Sequence, residues 1–126
     1  MKIQDFDGEV EVHDLDTLQD TLARCFRKNA NEIWLSMDKK YPSLGILIQD
    51  KLACVHFFPK EGHPGFRSIG EQLLNLNGVS IFHVNTPQEE IEVTNKAVID
   101  LSTALQASQE FFQTGQMPQC VKWLEL

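Results

Sequence analysis

Two adjoining apolar runs most constrain how this chain folds. Leu44–Gln49 and Leu52–Phe58 are apolar on both alternating faces, and only Asp50-Lys51 separates them. Two strand-like runs joined by two turn-forming residues are typical of a β-hairpin. Runs that are apolar on both faces belong in the middle of a sheet. We therefore expect these two strands to form the centre of the fold.

Other strands are indicated on both sides of this hairpin. The run Glu32–Asp38 alternates strictly between apolar and polar residues, which predicts a half-buried strand. Shorter runs predict further strands at Glu9–Val12, Val79–Val84, Ile91–Val93 and Cys120–Leu126. The sequence of segment 69–77 is compatible with either a loop or a brief helical turn.

Two helices complete the predicted fold. Asp14 is a suitable N-cap for a helix over Leu15–Arg27, and an apolar stripe that starts after Asp100 and ends before Gly115 predicts the second helix. The result is an α+β fold, one domain over 1–126, with a mostly antiparallel sheet of about five to seven strands and two helices packed against it. Aromatic residues expected in its core are Phe57, Phe58, Phe111, Phe112 and Trp123.

The charge of the chain is acidic and unevenly distributed. The 126 residues carry a formal net charge of −7, and seven carboxylates fall within the first twenty residues against one lysine. A field of this sign repels phosphates, which disfavours direct binding of nucleic acid, and it attracts a basic partner. Acidic surfaces also serve solubility alone, so the charge by itself identifies no partner.

The apolar runs, the N-terminal residues and the cysteines favour a cytoplasmic protein. No apolar run approaches the roughly 20 residues of a membrane-spanning helix, and the first residues lack the layout of a secretory signal. Cys25, Cys54 and Cys120 include no CxxC pair and lie in apolar patterns, which indicates reduced thiols in the core. We therefore expect no membrane association and a cytoplasmic location.

The sequence predicts no metal site, no cofactor and no catalytic residues. Cys54 and His56 lie two residues apart on one strand face, but a structural zinc site usually needs a second ligand pair. No nucleophile elbow, phosphate-binding glycine loop or deaminase zinc motif is present. Glu61 and His63 invite a general-base interpretation. The glycines and prolines around them favour a structural loop in which His63 bonds the loop's own backbone.

A recognition surface is the function that individual residues support best. Trp34 lies on the polar face of its strand, an unusual position for a large aromatic unless a helix covers that face and buries it. Interfaces favour aromatic and arginine anchors in polar surroundings. The candidate partner-binding residues are Trp34, Asp38, Tyr41, Asp50, Glu61, His63, Phe66 and Arg67. They converge only if the central hairpin and the following loop lie at one end of the sheet.

Three stretches carry a resemblance to a known family. They are Leu52–Gly70 (LACVHFFPKEGHPGFRSIG), Asn31–Ser36 (NEIWLS) and Cys120–Leu126 (CVKWLEL). On these stretches the chain resembles the deaminase-inhibitor immunity family of bacterial polymorphic toxin systems. The resemblance runs from about Asp5 to the C-terminus and is weakest over 71–86.

The resemblance implies an inhibitor rather than an enzyme. Such an immunity protein binds a cognate toxin, commonly a nucleic-acid deaminase domain, and occludes its positively charged substrate groove. An inhibitor of a nuclease toxin is the nearest alternative. From a different class, a small enzyme or ligand-binding domain would use Glu61, His63 and Arg67 in the 59–67 loop.

Overall fold

Ten β-strands and two α-helices are the regular elements of the computed structural model, which describes all residues 1–126. The strands are β1 (Lys2–Asp5), β2 (Gly8–Glu11), β3 (Ala30–Ser36), β4 (Ser43–Gln49), β5 (Leu52–Phe58), β6 (Phe66–Ser68), β7 (Val79–His83), β8 (Glu90–Thr94), β9 (Ile99–Asp100) and β10 (Trp123–Glu125). The helices are α1 (Leu15–Cys25) and α2 (Leu101–Thr114), and a short 3-10 helix spans Asn95–Ala97.

The predicted hairpin forms the centre of the main sheet. β4 pairs with β5 from Ser43 opposite Phe58 to Gln49 opposite Leu52, so Asp50-Lys51 is the two-residue turn. Asp50 has a φ of 54°, the left-handed conformation that tight hairpin turns require. The first six residues of β4 are buried, because the strand is covered on both faces.

Eight strands form the main sheet, in the order β10-β6-β5-β4-β3-β1-β2, and β9 pairs with β5. Every pairing in it is antiparallel. The predicted α+β class is confirmed. The sheet has more strands than expected because β1, β6 and β9 are only two to four residues long, too short to give an alternating sequence pattern.

Both helices pack on one face of the main sheet. The carboxylates of Asp14 and Asp100 cap α1 and α2 by accepting backbone N–H groups of the first turn, and Gly115 ends α2 with a φ of 66°. The caps at Asp14 and Gly115 were predicted, whereas Asp100 was recognised only as the residue before the second apolar stripe. α1 ends at Cys25, two residues before the predicted end, and Phe26 is its C-cap. The apolar stripes of the helices join inward strand side chains in a cluster of 19 buried residues.

The opposite face of the main sheet is only partly covered. β7 and β8 pair with each other in a separate two-stranded sheet. From it, Phe82 packs into a second, smaller buried cluster with Leu47, Cys54, Ala97 and Val98. The rest of this face, towards the end of the strands where β3 turns into β4, stays open to solvent.

Four of the five aromatic core predictions are confirmed and one is wrong. Phe57 and Phe111 are buried, and Phe112 and Trp123 pack against the main cluster. Phe58 lies on the opposite, open face, because neighbouring residues of a strand point to opposite sides.

The C-terminal strand is shorter than predicted, since only three of its seven residues pair with β6. The 69–77 segment contains no regular element. Neither α1 nor α2 has the length and apolar character needed to span a membrane.

Candidate functional site

Trp34 forms an aromatic platform on the open face of the main sheet. It lies opposite Gly45 in the register of β3 and β4, and a Cβ at Gly45 would come 2.8 Å from Cζ3 of the indole. Gly45 therefore allows the ring to lie directly on the neighbouring strand. Trp34 is 36% exposed, and its ring centroid is 5.7 Å from that of Phe58. The alternative in which a helix buries Trp34 is wrong.

A cleft of about 650 Å³ opens beside this platform. Its walls come from β1, β3, β4, the end of β5 and the turn between β7 and β8, and they include Gln4, Phe6, Trp34, Tyr41, Phe58 and Asn85. A smaller hollow of about 210 Å³ continues past Trp34 towards His56 and Val84. Because the two share Glu32, Trp34 and Phe58, the open face presents one continuous, aromatic-lined depression.

Glu32 and Lys40 bring one carboxylate and one cation to the cleft. Asp5 also lines it, but its carboxylate accepts the backbone N–H groups of Asp7 and Gly8 and the thiol of Cys25. Glu32 accepts the backbone N–H of Asn85 at 3.0 Å, which ties β3 to the turn between β7 and β8. Lys40 Nζ lies 5.8 Å from the ring centroid of Tyr41, so the aromatic rim already holds one cation. Aromatic faces beside the Glu32 carboxylate suit a basic side chain.

The acidic N-terminal region forms the sheet edge next to the cleft. β1 lines the cleft through Gln4 and Asp5, and β2 is the outermost strand beside it. All four residues of β2 are exposed, and Glu9 pairs with Lys2 at 3.1 Å. Acidic side chains on an open edge oppose pairing with other chains, which is a structural role. They also extend the negative field of the cleft.

His63 has a structural role in the loop between β5 and β6. Its Nδ1 accepts the backbone N–H of Gly65 at 2.8 Å, and its Nε2 lies 3.2 Å from a carboxylate oxygen of Glu125. Because Nδ1 is an acceptor, neutral His63 carries its proton on Nε2 and donates it to Glu125. The ring also stacks on Phe66, with centroids 5.2 Å apart. The predicted bond to the loop's own backbone is confirmed.

The predicted partner-binding residues lie at two ends of the sheet. Asp38 and Tyr41 are in the connection between β3 and β4, and Glu61 and His63 are in the connection between β5 and β6. The register places both connections at the end of the strands where the cleft opens. Asp50 is in the turn at the other end, a strand length of about 20 Å away. The central turn therefore does not converge with the loop.

The predicted residues also divide between the two faces. Phe66 and Arg67 are neighbours on β6, so their side chains point to opposite sides. Phe66 packs against the core cluster on the helix face, whereas Arg67 lies on the open face opposite His56. Among the predicted residues, only Trp34 and Tyr41 line the cleft.

Burial makes Cys25, Cys54 and His56 poor candidates for chemistry. Burial raises the pKa of Cys54 to about 11 and that of Cys25 to about 12, so both are protonated thiols at neutral pH. Burial, and then the charge of Arg67, lowers the pKa of His56. No group of three or more His, Cys, Asp or Glu side chains is arranged to hold a metal ion. The three cysteines are free thiols; Cys25 and Cys54 are buried in the core as predicted, whereas Cys120 is only partly buried.

Ten of the twelve residues that line the cleft were missing from the sequence prediction, and Phe58, Gln4, Phe6 and Asn85 show why. Phe58 was detectable, because strict alternation with the buried Phe57 places it on the face of Trp34. Gln4 belongs to a strand too short to recognise. Phe6 and Asn85 lie in turns whose positions depend on tertiary packing. No local sequence signal marks those three.

Comparison with known sequences shows which proteins this chain is similar to. The model of the family Immunity protein Imm1 matches residues 77–125, which comprise the β7–β8 hairpin, α2 and β10. The predicted resemblance to immunity proteins is confirmed.

A particular relative extends the similarity to the whole chain. The double-stranded DNA deaminase immunity protein of Burkholderia cenocepacia (strain H111) is 27% identical over 132 aligned positions, which cover 100% of both chains.

Proposed function

We propose that this chain is an immunity protein that binds a DNA deaminase toxin domain and neutralises it. The observation that carries the proposal is the similarity, over its full length, to an immunity protein named for a double-stranded DNA deaminase. A model of an immunity family also matches the β7–β8 hairpin and everything up to β10. An inhibitor of a nuclease toxin would share the same fold, and no feature of the cleft favours it.

Inhibition follows from how a deaminase uses its substrate. Such an enzyme takes the target base out of the stack into a closed pocket and holds the nucleic acid backbone along a basic groove. An acidic protein that covers this groove excludes the nucleic acid without any chemistry of its own. The net charge of −7 suits this role and disfavours direct binding of nucleic acid by the immunity protein itself. The immunity protein is accordingly a binding protein and not an enzyme.

The cleft is the proposed anchor site for the toxin. A lysine or arginine from the edge of the toxin's groove would lie against the exposed face of Trp34, close to the carboxylate of Glu32. A cation over an aromatic face contributes about 0.5–2 kcal/mol, and more when water is excluded. Lys40, which now lies over Tyr41, would move aside. Asp38 and Glu61 would border this contact from the two connections at the same end of the sheet.

The loop around His63 supports binding rather than catalysis. Both ring nitrogens of His63 are already engaged, one by Gly65 and one by Glu125. A general base needs a free nitrogen within hydrogen-bond reach of its substrate. The loop therefore contributes to the shape of this end of the sheet, and the enzyme alternative loses His63 as its general base.

Co-expression with the toxin domain encoded beside this gene tests the proposal. Survival of the cells and co-purification of the two proteins are the expected results. Mutations at cytosine or adenine in unprotected survivors would identify a deaminase, whereas broken DNA would identify a nuclease. Death of cells that contain both folded proteins, with no complex formed, would overturn the proposed function.

The cleft is tested separately by Trp34→Ala. We expect the complex to weaken by about tenfold or more, as for a buried aromatic anchor. Leu15→Ala is the matched control, because Leu15 is 37% exposed on α1, far from the cleft face, and Trp34 is 36% exposed. If the two variants bind the toxin with equal affinity, the toxin contacts a part of the chain other than the cleft. The rate of association with the toxin should also fall as the salt concentration rises. A rate independent of salt would contradict electrostatic steering but not the occlusion of the toxin's groove.

A further inference from the structure

A second surface of the chain is more apolar than its packing requires. Five of the eleven exposed large apolar side chains lie within nine consecutive residues, in the loop before β7 and on β7 itself. We call them the apolar patch: Leu73, Leu74, Leu76, Val79 and Ile81. Scattered exposed leucines are ordinary, but contiguous apolar surface marks an interaction site.

The register of the small sheet explains why this patch faces solvent. β7 alternates, so Phe82 points into the cluster beneath the sheet and is fully buried, while Val79 and Ile81 point outward and are 54% and 38% exposed. On β8, Glu92 lies opposite Ile81 on the same outward face. The inward side chains therefore hold the small sheet to the main sheet, and the outward apolar side chains have no packing role.

The loop that carries the three leucines is held in place by hydrogen bonds. The side-chain amide of Asn95 donates to the carbonyl of Asn75 at 2.7 Å and accepts the hydroxyl of Ser80 at 2.5 Å. The backbone N–H of Asn95 donates to the carbonyl of Gly78 at 3.1 Å, and that of Gly70 to the carbonyl of Lys96 at 2.5 Å. A surface fixed in this way loses less conformational entropy when a partner binds it.

The charged residues around the apolar patch indicate which kind of partner it binds. Its neighbours include the exposed acids Glu71, Glu90 and Glu92, and Lys96 is the nearby cation. A symmetric contact between two copies would bring the same acids together, which costs free energy. A partner with an apolar centre and a basic surround has complementary charge. A protein that acts on DNA carries basic residues of this kind.

We propose that the apolar patch is a second contact for the toxin, next to the cleft and separate from it. The proposal rests on the proposed function. Both surfaces border the β7–β8 hairpin: Asn85 at its turn lines the cleft, and Val79 and Ile81 form its outer face. A toxin that straddles the hairpin contacts both. The patch then supplies apolar area, while the cleft supplies the aromatic and charged contacts.

Calorimetric titration tests the patch with the toxin domain whose catalytic glutamate is replaced by alanine, so that it is safe to produce. The variant is Val79→Thr combined with Ile81→Thr, which keeps β-branched residues on the strand. Val10→Thr is the matched control, an exposed valine on the β2 edge. We expect about tenfold weaker binding for the double variant and unchanged binding for the control, with equal thermal unfolding for all three.

The possible results separate the two proposals. If the unmodified chain does not bind the toxin domain, the proposed function fails and the patch proposal fails with it. If the unmodified chain binds and the double variant binds equally well, only the patch proposal fails. Sedimentation of the chain alone adds a further outcome: a dimer that the double variant abolishes, with toxin affinity unchanged, would make the patch a surface for a second copy and overturn the proposal.

Discussion

Replacing Gly70 with alanine should destabilise this fold, because a Cβ at this position meets only backbone atoms. Gly70 follows β6 and passes close over the turn after β8, where its N–H donates to the carbonyl of Lys96. A Cβ here would lie 2.8 Å from that oxygen and 2.9 Å from the carbonyl oxygens of Asn95 and Val98. Ordinary contacts begin at 3.4 Å. All three obstacles are backbone atoms, so no side-chain rotation relieves them.

The expected cost follows from these contacts. Overpacking costs about 1–3 kcal/mol, and three simultaneous contacts with backbone place Gly70→Ala near the upper end. The lower entropy of alanine in the unfolded chain offsets about 0.4–1 kcal/mol of this. The free energy of unfolding should therefore fall by about 2 kcal/mol. With a urea dependence of about 1–3 kcal/mol per molar, the unfolding midpoint falls by roughly 1 M.

Urea unfolding followed by circular dichroism measures this difference. Gly62→Ala is the matched control, since its Cβ meets nothing within 4 Å while its φ of 82° is unfavourable for alanine. The control should lose about 1 kcal/mol from backbone strain alone. A Gly70→Ala chain that unfolds within about 0.5 kcal/mol of the unmodified protein, or that is more stable than the control, would refute the reasoning.

Three further predictions concern the open face and the thiols. Gly45→Ala should cost about 1 kcal/mol because its Cβ displaces the Trp34 ring, yet be neutral or stabilising in a Trp34→Ala background, where alanine is better than glycine in a strand. Equal costs in both backgrounds, measured by urea unfolding, would contradict the ring contact. Burial lowers the pKa of His56 below its ordinary 6.5, so the unfolded chain binds more protons and stability should fall as the pH drops below that value. His56→Gln should remove this part of the pH dependence, and an unchanged slope would argue against it. A thiol reagent should modify Cys120 alone in the folded protein, because the other two thiols are buried; rapid labelling of three thiols without denaturant would disprove this.

The centre of the fold could be predicted because its signals are local. A two-residue turn between two apolar runs fixes β4 and β5, and the caps at Asp14 and Gly115 together with the apolar stripes fix the helices. The short strands had no such signal. β6 pairs with only two residues of β5, and β9 likewise with two. Their pairing depends on the position of the central strands and not on their own sequence.

Only part of the cleft could be predicted from the sequence. Trp34 was recognised as unusual because strict alternation placed it among polar residues, and its exposure follows from both helices packing on the other face. The convergence of the remaining residues depended on which strand ends carry the connections, and the register puts Asp50 at the opposite end from Tyr41. Alternation alone separates Phe66 from Arg67. Such assignments need the topology and not just the pattern.

The part of the chain that matches the immunity family also borders both proposed contacts. Residues 77–125 include α2, whose buried stripe is explained by packing against the main sheet. They also include β7, on which Phe82 is explained in the same way, but Val79 and Ile81 are not. Val79 and Ile81 suit a strand by their β propensity, but no packing contact requires apolar side chains at those two outward positions. Binding of a partner would explain the apolar side chains at these positions. The acidic residues of β8 beside them indicate that this partner is basic. The β7–β8 hairpin is therefore the element in which the requirements of folding and of the proposed toxin contact can be separated residue by residue.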